Sequence, residues 1–475
     1  MGKREAQLLT MAYSSIRRRV ADTLLRLTDT QPDALIQLSR DDLAAMIGTA
    51  TESLIRTLTE FRQDGLIENL PNGIRLLHQQ VLHTKIAHCG FLLDIGSRDE
   101  APHQQGLAHF WEHMAFKGTE KRKSFHILNR LETVGGELNA YTTKEKICFY
   151  AALLSTHFER AFELLTDLTF HSVFPERELE KERGVILEEM SMYDDAPEDA
   201  IVDRFDEVVF EEHPLGHNIL GTRASVSGFT SADFRQFLRE QVRTDRLVFS
   251  SVSNLSFAEV KRLADRYLAP LPARLGPRER RPFGDYQQKV QTETRPISQA
   301  HCLLGGPAFA LHDERRIPFF MLNNILGGPG MNSRLNLAVR EKYGLVYTID
   351  STYSPYTDTG LFGIYFGTEG KQVKRTISLI QKELKTLREK PLTTTQLHNA
   401  KEQLMGQLAM SEESNSGLMQ LLAKSTLDLG RIEPLTELFG RIRRVTATEL
   451  QGLANEVLTE EHLSVLQYLP SAKAI

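Results

Sequence analysis

His109 and His113 stand four residues apart, with Glu112 directly before the second histidine, in the run Gly106-Leu107-Ala108-His109-Phe110-Trp111-Glu112-His113-Met114-Ala115-Phe116-Lys117-Gly118. The apolar residues of this run recur with a helical period, and a helix stacks residues four apart on one face. The spacing therefore predicts two neutral imidazole nitrogens aimed the same way, a donor pair suited to a borderline-soft cation such as Zn²⁺. Glu112 is close enough to reach a metal-bound water and badly placed to be a ligand itself. The string H-x-x-E-H is one of the short patterns associated with metal-assisted hydrolysis. Gly118 is expected to close the helix.

Zinc held for catalysis takes three protein ligands and keeps one position open. The downstream run Pro175-Glu176-Arg177-Glu178-Leu179-Glu180-Lys181-Glu182-Arg183-Gly184-Val185-Ile186-Leu187-Glu188-Glu189-Met190 reads as a second helix, with Pro175 suited to its first turn. Glu182, Val185 or Ile186, and Glu189 would share one face, which sets two carboxylates beside aliphatic side chains.

Other elements must hold these two helices. Residues 247–252 read as a strand and residues 256–267 as a helix. Residues 269–282 are rich in proline and arginine and read as an exposed linker. Beyond them, residues 300–310 are strand-like and residues 319–326 helical. The turn Gly327-Gly328-Pro329-Gly330 lacks the Lys-Ser/Thr of a phosphate-binding loop and is expected to lead into a helix at Ser333-Arg334-Leu335.

Of the 475 residues, 41% are hydrophobic and 25% charged, enough for sizeable cores and roughly three domains. A net charge of −5 gives no overall attraction to nucleic acid or an anionic membrane. Cys89, Cys148 and Cys302 are far apart, lack metal-type spacing and are expected to be reduced core residues. The polar start Met1-Gly2-Lys3-Arg4-Glu5-Ala6-Gln7 precedes no apolar run of signal-peptide length, and Ala6 misses the myristoylation pattern. No stretch approaches the ~20 apolar residues of a membrane span. A cytoplasmic protein without membrane attachment is expected.

Several further motifs accompany the histidines: Gly96-Ser97-Arg98-Asp99-Glu100, Phe116-Lys117-Gly118-Thr119, Gly135-Gly136-Glu137-Leu138-Asn139-Ala140-Tyr141-Thr142, Glu182-Arg183-Gly184-Val185-Ile186-Leu187-Glu188-Glu189, and His213-Pro214-Leu215-Gly216 running to Leu220-Gly221-Thr222. In this order they resemble one half-unit of the pitrilysin/insulinase family, which includes the mitochondrial processing peptidases and bacterial relatives. The resemblance spans residues from about 70 to the C-terminus. It implies that Glu189, rather than its neighbour Glu188, is the third zinc ligand, and that Glu182 is a carboxylate behind the ligands. Val339-Arg340-Glu341-Lys342-Tyr343-Gly344-Leu345-Val346-Tyr347 resembles the segment whose arginine and tyrosine face the zinc from the opposite half, so Arg340 and Tyr347 are expected to contact substrate. Asn139, Ala140 and Tyr141 match the family's edge strand, which pairs with an extended substrate.

The resemblance implies an α+β fold, with an α/β sandwich of mostly antiparallel sheet under a helical layer occurring twice, over residues 70–270 and 288–475, joined by 271–287. It also implies a peptidase with one Zn²⁺ per chain, Glu112 as general base, and peptides or unfolded segments as substrates. A homodimer is expected, a heterodimer with a related half-unit being the alternative. A non-catalytic subunit is the competing reading.

Residues 1–69 read differently. Ser39 would cap a helix beginning at Arg40, Gly48 would turn the chain, and a second helix would run from Thr51 to Phe61. This small helical module resembles the winged helix-turn-helix of the Crp/Fnr regulators, with Thr51, Glu52 and Arg56 at DNA-reading positions. A DNA-binding regulator fused to a peptidase-like unit is thus a further alternative. Residues 1–77 carry equal numbers of acidic and basic side chains, unlike a typical basic footprint. The stretch 66–77 is claimed twice, as the wing of one fold and the first strand of the other.

Overall fold

Three long apolar runs set the first sheet. The computed structural model describes residues 68–471, residues 40–51, 53 and 54, and the isolated positions 20 and 23. Strands β1 (Glu68–Asn69), β2 (Arg75–Gln80), β3 (Ile86–Leu93), β4 (Glu137–Thr142), β5 (Ile147–Leu154) and β6 (Leu247–Ser253) line up in the order β1-β2-β6-β3-β5-β4. Strands β3, β5 and β6 are buried along most of their length, as expected of strands covered on both faces. Only the β2–β6 pairing is parallel. The twice-claimed stretch is committed here: β1 and β2 form a hairpin, and β2 pairs along β6.

In the N-terminal segment, α1 (Arg40–Ile47) places Asp41 and Asp42 in its first turn, where the helix dipole favours carboxylates. Leu43, Ala44 and Ile47 form a small buried cluster with Val20 and Leu54. Gly48 follows with φ of 68°, the left-handed turn expected there. The Thr51 hydroxyl donates to Asp41 at 2.8 Å. Glu52, Arg56 and the expected second helix beyond Leu54 lie outside the described residues.

One face of the first sheet carries α2 (Leu107–Ala115), α3 (Phe158–Phe170) and, farther out, α4 (Glu176–Asp195), with α6 (Phe257–Tyr267) against β2, while α5 (Pro197–Phe210) packs on α4 and leads away from this sheet. Trp111, Phe91, Phe149, Phe162 and Phe249 are fully buried between helices and sheet. Each such side chain contributes roughly 1.5–3 kcal/mol of burial.

The second sheet repeats the pattern. Strands β7 (Val290–Arg295), β8 (Ala300–Ala308), β9 (Val346–Pro355), β10 (Gly360–Thr368) and β11 (Ser464–Pro470) take the order β7-β11-β8-β10-β9. The β7–β11 pair is parallel and the rest antiparallel, the same progression as β2-β6-β3-β5-β4. Helices α7 (Arg316–Gly327) and α8 (Val373–Glu389) belong to its outer core. The helix expected from Ser333 is in part a π-helical turn, Asn336–Glu341.

The halves exchange helices. From the first half, α5 sets Ile201, Phe205 and Val209 against Leu303, Leu466 and Tyr468 of the second sheet. From the second half, α9 (Asn415–Leu429) sets Met419, Leu422 and Ala423 against Leu92, Val248 and Val252 of the first. Ser250 donates to the Met419 carbonyl at 2.8 Å and Lys146 pairs with Asp428 at 2.6 Å, so polar groups beneath α9 are also met.

The stretch between the sheets has no regular structure, as its composition predicts, yet the side chains of two of its arginines are largely covered rather than exposed. Arg280 pairs with Asp94 at 2.8 Å and Asp99 at 2.9 Å, and Arg278 pairs with Asp99 at 3.0 Å. Arg280 also donates to Thr357 and Arg98 bridges Glu145 to Asp358, which ties both halves to this strap. Burial acts to raise the Asp94 pKa, but the charges of Arg280, Arg278 and Lys146 and a hydrogen bond from Arg246 outweigh it and hold it below the usual value. That pairing adds stability that is complete above the ordinary carboxylate pKa near ~4 and is lost as pH falls through the lower folded value. Arg280→Met is expected to cost roughly 3 kcal/mol at neutral pH, the lower end for a broken buried pair because Arg246 and Arg278 remain. The deficit should narrow on acidification as the stranded carboxylates take up protons. Urea melts across pH check both points; an unchanged midpoint at neutral pH refutes them.

Burial pushes the Cys148 and Cys302 thiols up to about 12, and Cys89 higher still, so all three behave as inert core residues. Among the described residues no helix is long and apolar enough to cross a membrane.

Candidate active site

Gly106 opens α2 with φ of 93°, and a Cβ there would lie 2.4 Å from the Leu220 carbonyl oxygen, so only glycine fits. The buried Glu100 carboxylate accepts from Gly106 N–H at 2.9 Å and Ala108 N–H at 2.7 Å. It thereby closes the N-terminus of the helix that carries both histidines. Burial raises the Glu100 pKa well above normal, with those two hydrogen bonds opposing it. The Gly96–Glu100 run is visible as a motif, but a cap reaching back across six residues has no sequence signature. At its other end α2 stops at Ala115; Gly118 instead lies in a bridge with Lys123.

His109 and His113 lie side by side, ring centroids 4.7 Å apart. Their Nε2 atoms are 3.9 and 3.5 Å from Glu189 Oε2 on α4. One ligand atom from each of the three lies within 4.8 Å of the others, and no other such group occurs among the described residues. Ligands at ~2.0–2.2 Å from a tetrahedral zinc are roughly 3.3–3.5 Å apart, so side-chain adjustment alone would complete the set. Glu188 is exposed on the same helix and outside the group.

The chemistry of the donors fits a cation. Burial, aided by the His113 charge, lowers the His109 pKa to about 3, so its imidazole is neutral at physiological pH. His109 Nδ1 is buried and makes no hydrogen bond among the described residues. With Nδ1 unpaired, Nε2, which faces Glu189 Oε2 at 3.9 Å, is the nitrogen available to a metal. His113 Nδ1 meets Glu182 Oε2 at 3.2 Å, and Glu182 Oε1 meets Lys117 at 2.6 Å. Burial acts to raise the Glu182 pKa, but the hydrogen bonds from His113 and Lys117 outweigh it and hold it low. An ionised Glu182 fixes the proton on Nδ1 and turns the Nε2 lone pair towards Glu189. Glu182→Gln is expected to weaken zinc binding roughly 10–100-fold, read by competition with a chromophoric chelator. Unchanged affinity would remove Glu182 from the site.

Glu112 is outside the ligand group. The Thr142 hydroxyl donates to its Oε2 at 2.6 Å. Burial raises its pKa, partly countered by Thr142 and His113. Thr142 is a site residue that sequence reasoning missed, since its partner lies thirty residues away and on another element. It ends β4, the outer strand of its sheet, whose residues Asn139, Ala140 and Tyr141 pair with β5 on one side only among the described residues.

Arg340 and Tyr347 do not join this cluster. Arg340 sits on the π-helical turn, 3.5 Å from Asn336 and 3.6 Å from Glu341. Tyr347, on the outer strand β9 of the second sheet, is 88% exposed. Among the described residues, no hydrogen bond or ion pair connects either to His109, Glu112, His113 or Glu189.

Comparison with known proteins now bears on this geometry. Residues 75–223 match the insulinase family (peptidase family M16), and residues 228–404 match the peptidase M16 inactive domain. An uncharacterized zinc protease of Bacillus subtilis (strain 168), YmxG, is 35% identical over 395 residues, covering 83% of this chain and 96% of its own. The chain belongs to the M16 peptidase family. Another relative of this M16 chain, an uncharacterized zinc protease of Streptomyces coelicolor, SCO5738, is 36% identical over 417 residues, covering 85% of this chain and 90% of its own. Two solved structures share the M16 fold. A peptidase M16 inactive domain from Pseudomonas fluorescens superposes with a TM-score of 0.80 at 20% identity, over 86% of this chain and 99% of its own. A protease from Helicobacter pylori gives 0.78 at 19%, over 86% and 100%. Residues 18–84 also match a Crp-like helix-turn-helix domain, which overlaps the first M16 match over residues 75–84 and so shares strand β2 with it.

Proposed function

We propose that this M16 chain is a zinc-dependent endopeptidase or oligopeptidase, with one Zn²⁺ per chain held by His109, His113 and Glu189. The observation that carries the reading is the convergence of those three ligand atoms within 4.8 Å, backed by Glu182 on His113 Nδ1. Bound there, zinc supplies a polarising charge for the scissile carbonyl and a water of lowered pKa. Glu112 takes a proton from the attacking water at Oε1, since Oε2 is held by Thr142, and returns it to the leaving amine. The free edge of β4, through Asn139, Ala140 and Tyr141, pairs with the backbone of an extended peptide, which favours unfolded substrates and loose side-chain specificity. The same reading divides the chain into residues 1–69, 70–270, 271–287 and 288–475.

The chain acts as a homodimer in this reading, with Arg340 and Tyr347 completing the site of the other copy. Their lack of contact with the ligands of their own chain supports that arrangement. A non-catalytic subunit would bind zinc without cleaving any member of a peptide ladder. Cleavage abolished by a chelator and restored by zinc supports the peptidase; cleavage indifferent to chelator defeats it.

A second reading concerns residues 18–84, because of their match to a Crp-like helix-turn-helix. That segment would bind duplex DNA in the major groove through Thr51, Glu52 and Arg56. Duplex binding is expected to weaken as salt rises and to be relaxed in sequence by Arg56→Ala. An electrophoretic titration showing no salt-sensitive complex would end this reading.

A further inference from the structure

Beside the candidate site lies a cavity of about 980 Å³ between the two halves. Its link to the site is β4. Thr142 turns to Glu112, while its neighbour Tyr141 lines the cavity, as successive strand residues face opposite ways. A peptide strand added to β4 would therefore send alternate side chains to the cavity side.

The cavity is electrically uneven. Glu198, Asp199, Asp203 and Asp350 line it without an ion-pair partner among the described residues. Lys424, on α9, is the cation that stands apart. Its ammonium makes no hydrogen bond or ion pair among the described residues. The acids that act most strongly on it are Asp428 and Glu145, and both are engaged elsewhere, Asp428 by Lys146 at 2.6 Å and Glu145 by Arg98 at 2.7 Å. The Lys424 side chain is open to the cavity yet closely surrounded by protein. That confinement, with Lys146 beside it, lowers its pKa from the usual lysine value. It is an ammonium short of a counter-charge.

Lys424 also stands where a second cavity begins. This one holds about 340 Å³, shares Tyr353, Pro355, Ser411, Leu421 and Lys424 with the first, and is otherwise walled largely by apolar residues such as Ile317, Phe320, Leu404 and Leu438. Of its acids, Asp428 and Glu433 are paired with Lys146 and Arg441, and Glu412 has no ion-pair partner among the described residues. A cation at the mouth of an apolar hole matches the end of a peptide, where one carboxylate and one side chain leave the same carbon.

We propose that Lys424 anchors the free α-carboxylate of a peptide substrate whose C-terminal apolar side chain enters the smaller cavity. This rests on the peptidase reading above, and it makes the distance from β4 to Lys424 a ruler. Peptides would be cut at a fixed number of residues from their C-terminus, and the four acids would discourage a carboxylate from settling elsewhere in the larger cavity.

The test compares the zinc-loaded wild type, Lys424→Met and Lys424→Arg on synthetic peptides of graded length ending in leucine, each as free acid and as C-terminal amide. The wild type is expected to favour the free acid about tenfold in kcat/KM, chiefly through KM, and to release C-terminal fragments of constant length. Lys424→Met should bring the acid-to-amide ratio towards one and scatter the fragment lengths, while Lys424→Arg keeps most of the preference. A wild type without preference, or a preference that survives in Lys424→Met, overturns the proposal. A loss that affects acid and amide alike marks a purely structural lysine and also overturns it. Failure of the wild type to cut either peptide counts against the peptidase reading instead. Calorimetry with the same peptides then judges Lys424 separately: tighter binding of the acid, lost in Lys424→Met, supports the anchor, and equal binding overturns it.

Discussion

Glu112→Gln is expected to lower kcat by about a thousandfold or more while zinc stays bound at one per chain. General acid–base catalysis contributes roughly 10²–10⁴-fold, and glutamine cannot accept the proton. The substitution keeps the volume of the side chain, and its amide oxygen still accepts from Thr142 as Oε2 does now. None of the ligand atoms of His109, His113 and Glu189 is touched. KM should change little, because Glu112 is not on the edge strand proposed to receive the peptide. His113→Ala is the contrasting case, expected to lose both zinc and activity. Metal analysis beside single-turnover cleavage separates the two. Full activity in Glu112→Gln with zinc bound would move the base to another residue; loss of zinc along with activity would make Glu112 a structural support of the ligand set.

How far the sequence foretells this site depends on how local each contact is. The histidine pair follows from one helix and its period, and Glu182 and Glu189 share a face because they lie seven residues apart on another. The two helices meet through tertiary packing, which no spacing encodes, so only the family resemblance singles out Glu189 over Glu188; in the fold Glu189 is half-buried beside the histidines and Glu188 is exposed. Glu100 and Thr142 were missed for the same reason: each acts on an element distant in the chain. Arg278 and Arg280 look like solvated linker charges because arginine is seldom buried. What buries them are Asp94, Asp99 and Glu145, more than a hundred residues earlier. The exchange of α5 and α9 between halves is likewise invisible. Amphipathicity says that a helix covers a sheet, not which sheet. The twice-claimed hairpin is settled by the neighbour available to β2, a fully buried β6 whose parallel pairing runs six residues.

The proposed division of labour between two copies gives the other large effect. His113→Ala removes the zinc and keeps Arg340; Arg340→Ala keeps the zinc and removes the arginine. Each homodimer is expected to be inactive or nearly so, since losing one oxyanion-stabilising donor costs about 10²–10³ in kcat. If two copies complete each other, random re-association of equal amounts gives half heterodimers, and each heterodimer holds one intact site of two. Mixing should therefore restore about a quarter of wild-type activity per chain from two nearly silent proteins. Among the described residues, neither Arg340, on the π-helical turn, nor Tyr347, on the outer strand β9, bonds to the ligands of its own chain, and the proposed dimer gives both a partner site to complete. Dimer formation is checked first by light scattering. A dimer that mixes without any recovery would assign both halves of the site to one chain, reached by closure of the strap between the sheets. A monomer in which Arg340→Ala is fully active would remove Arg340 from the site.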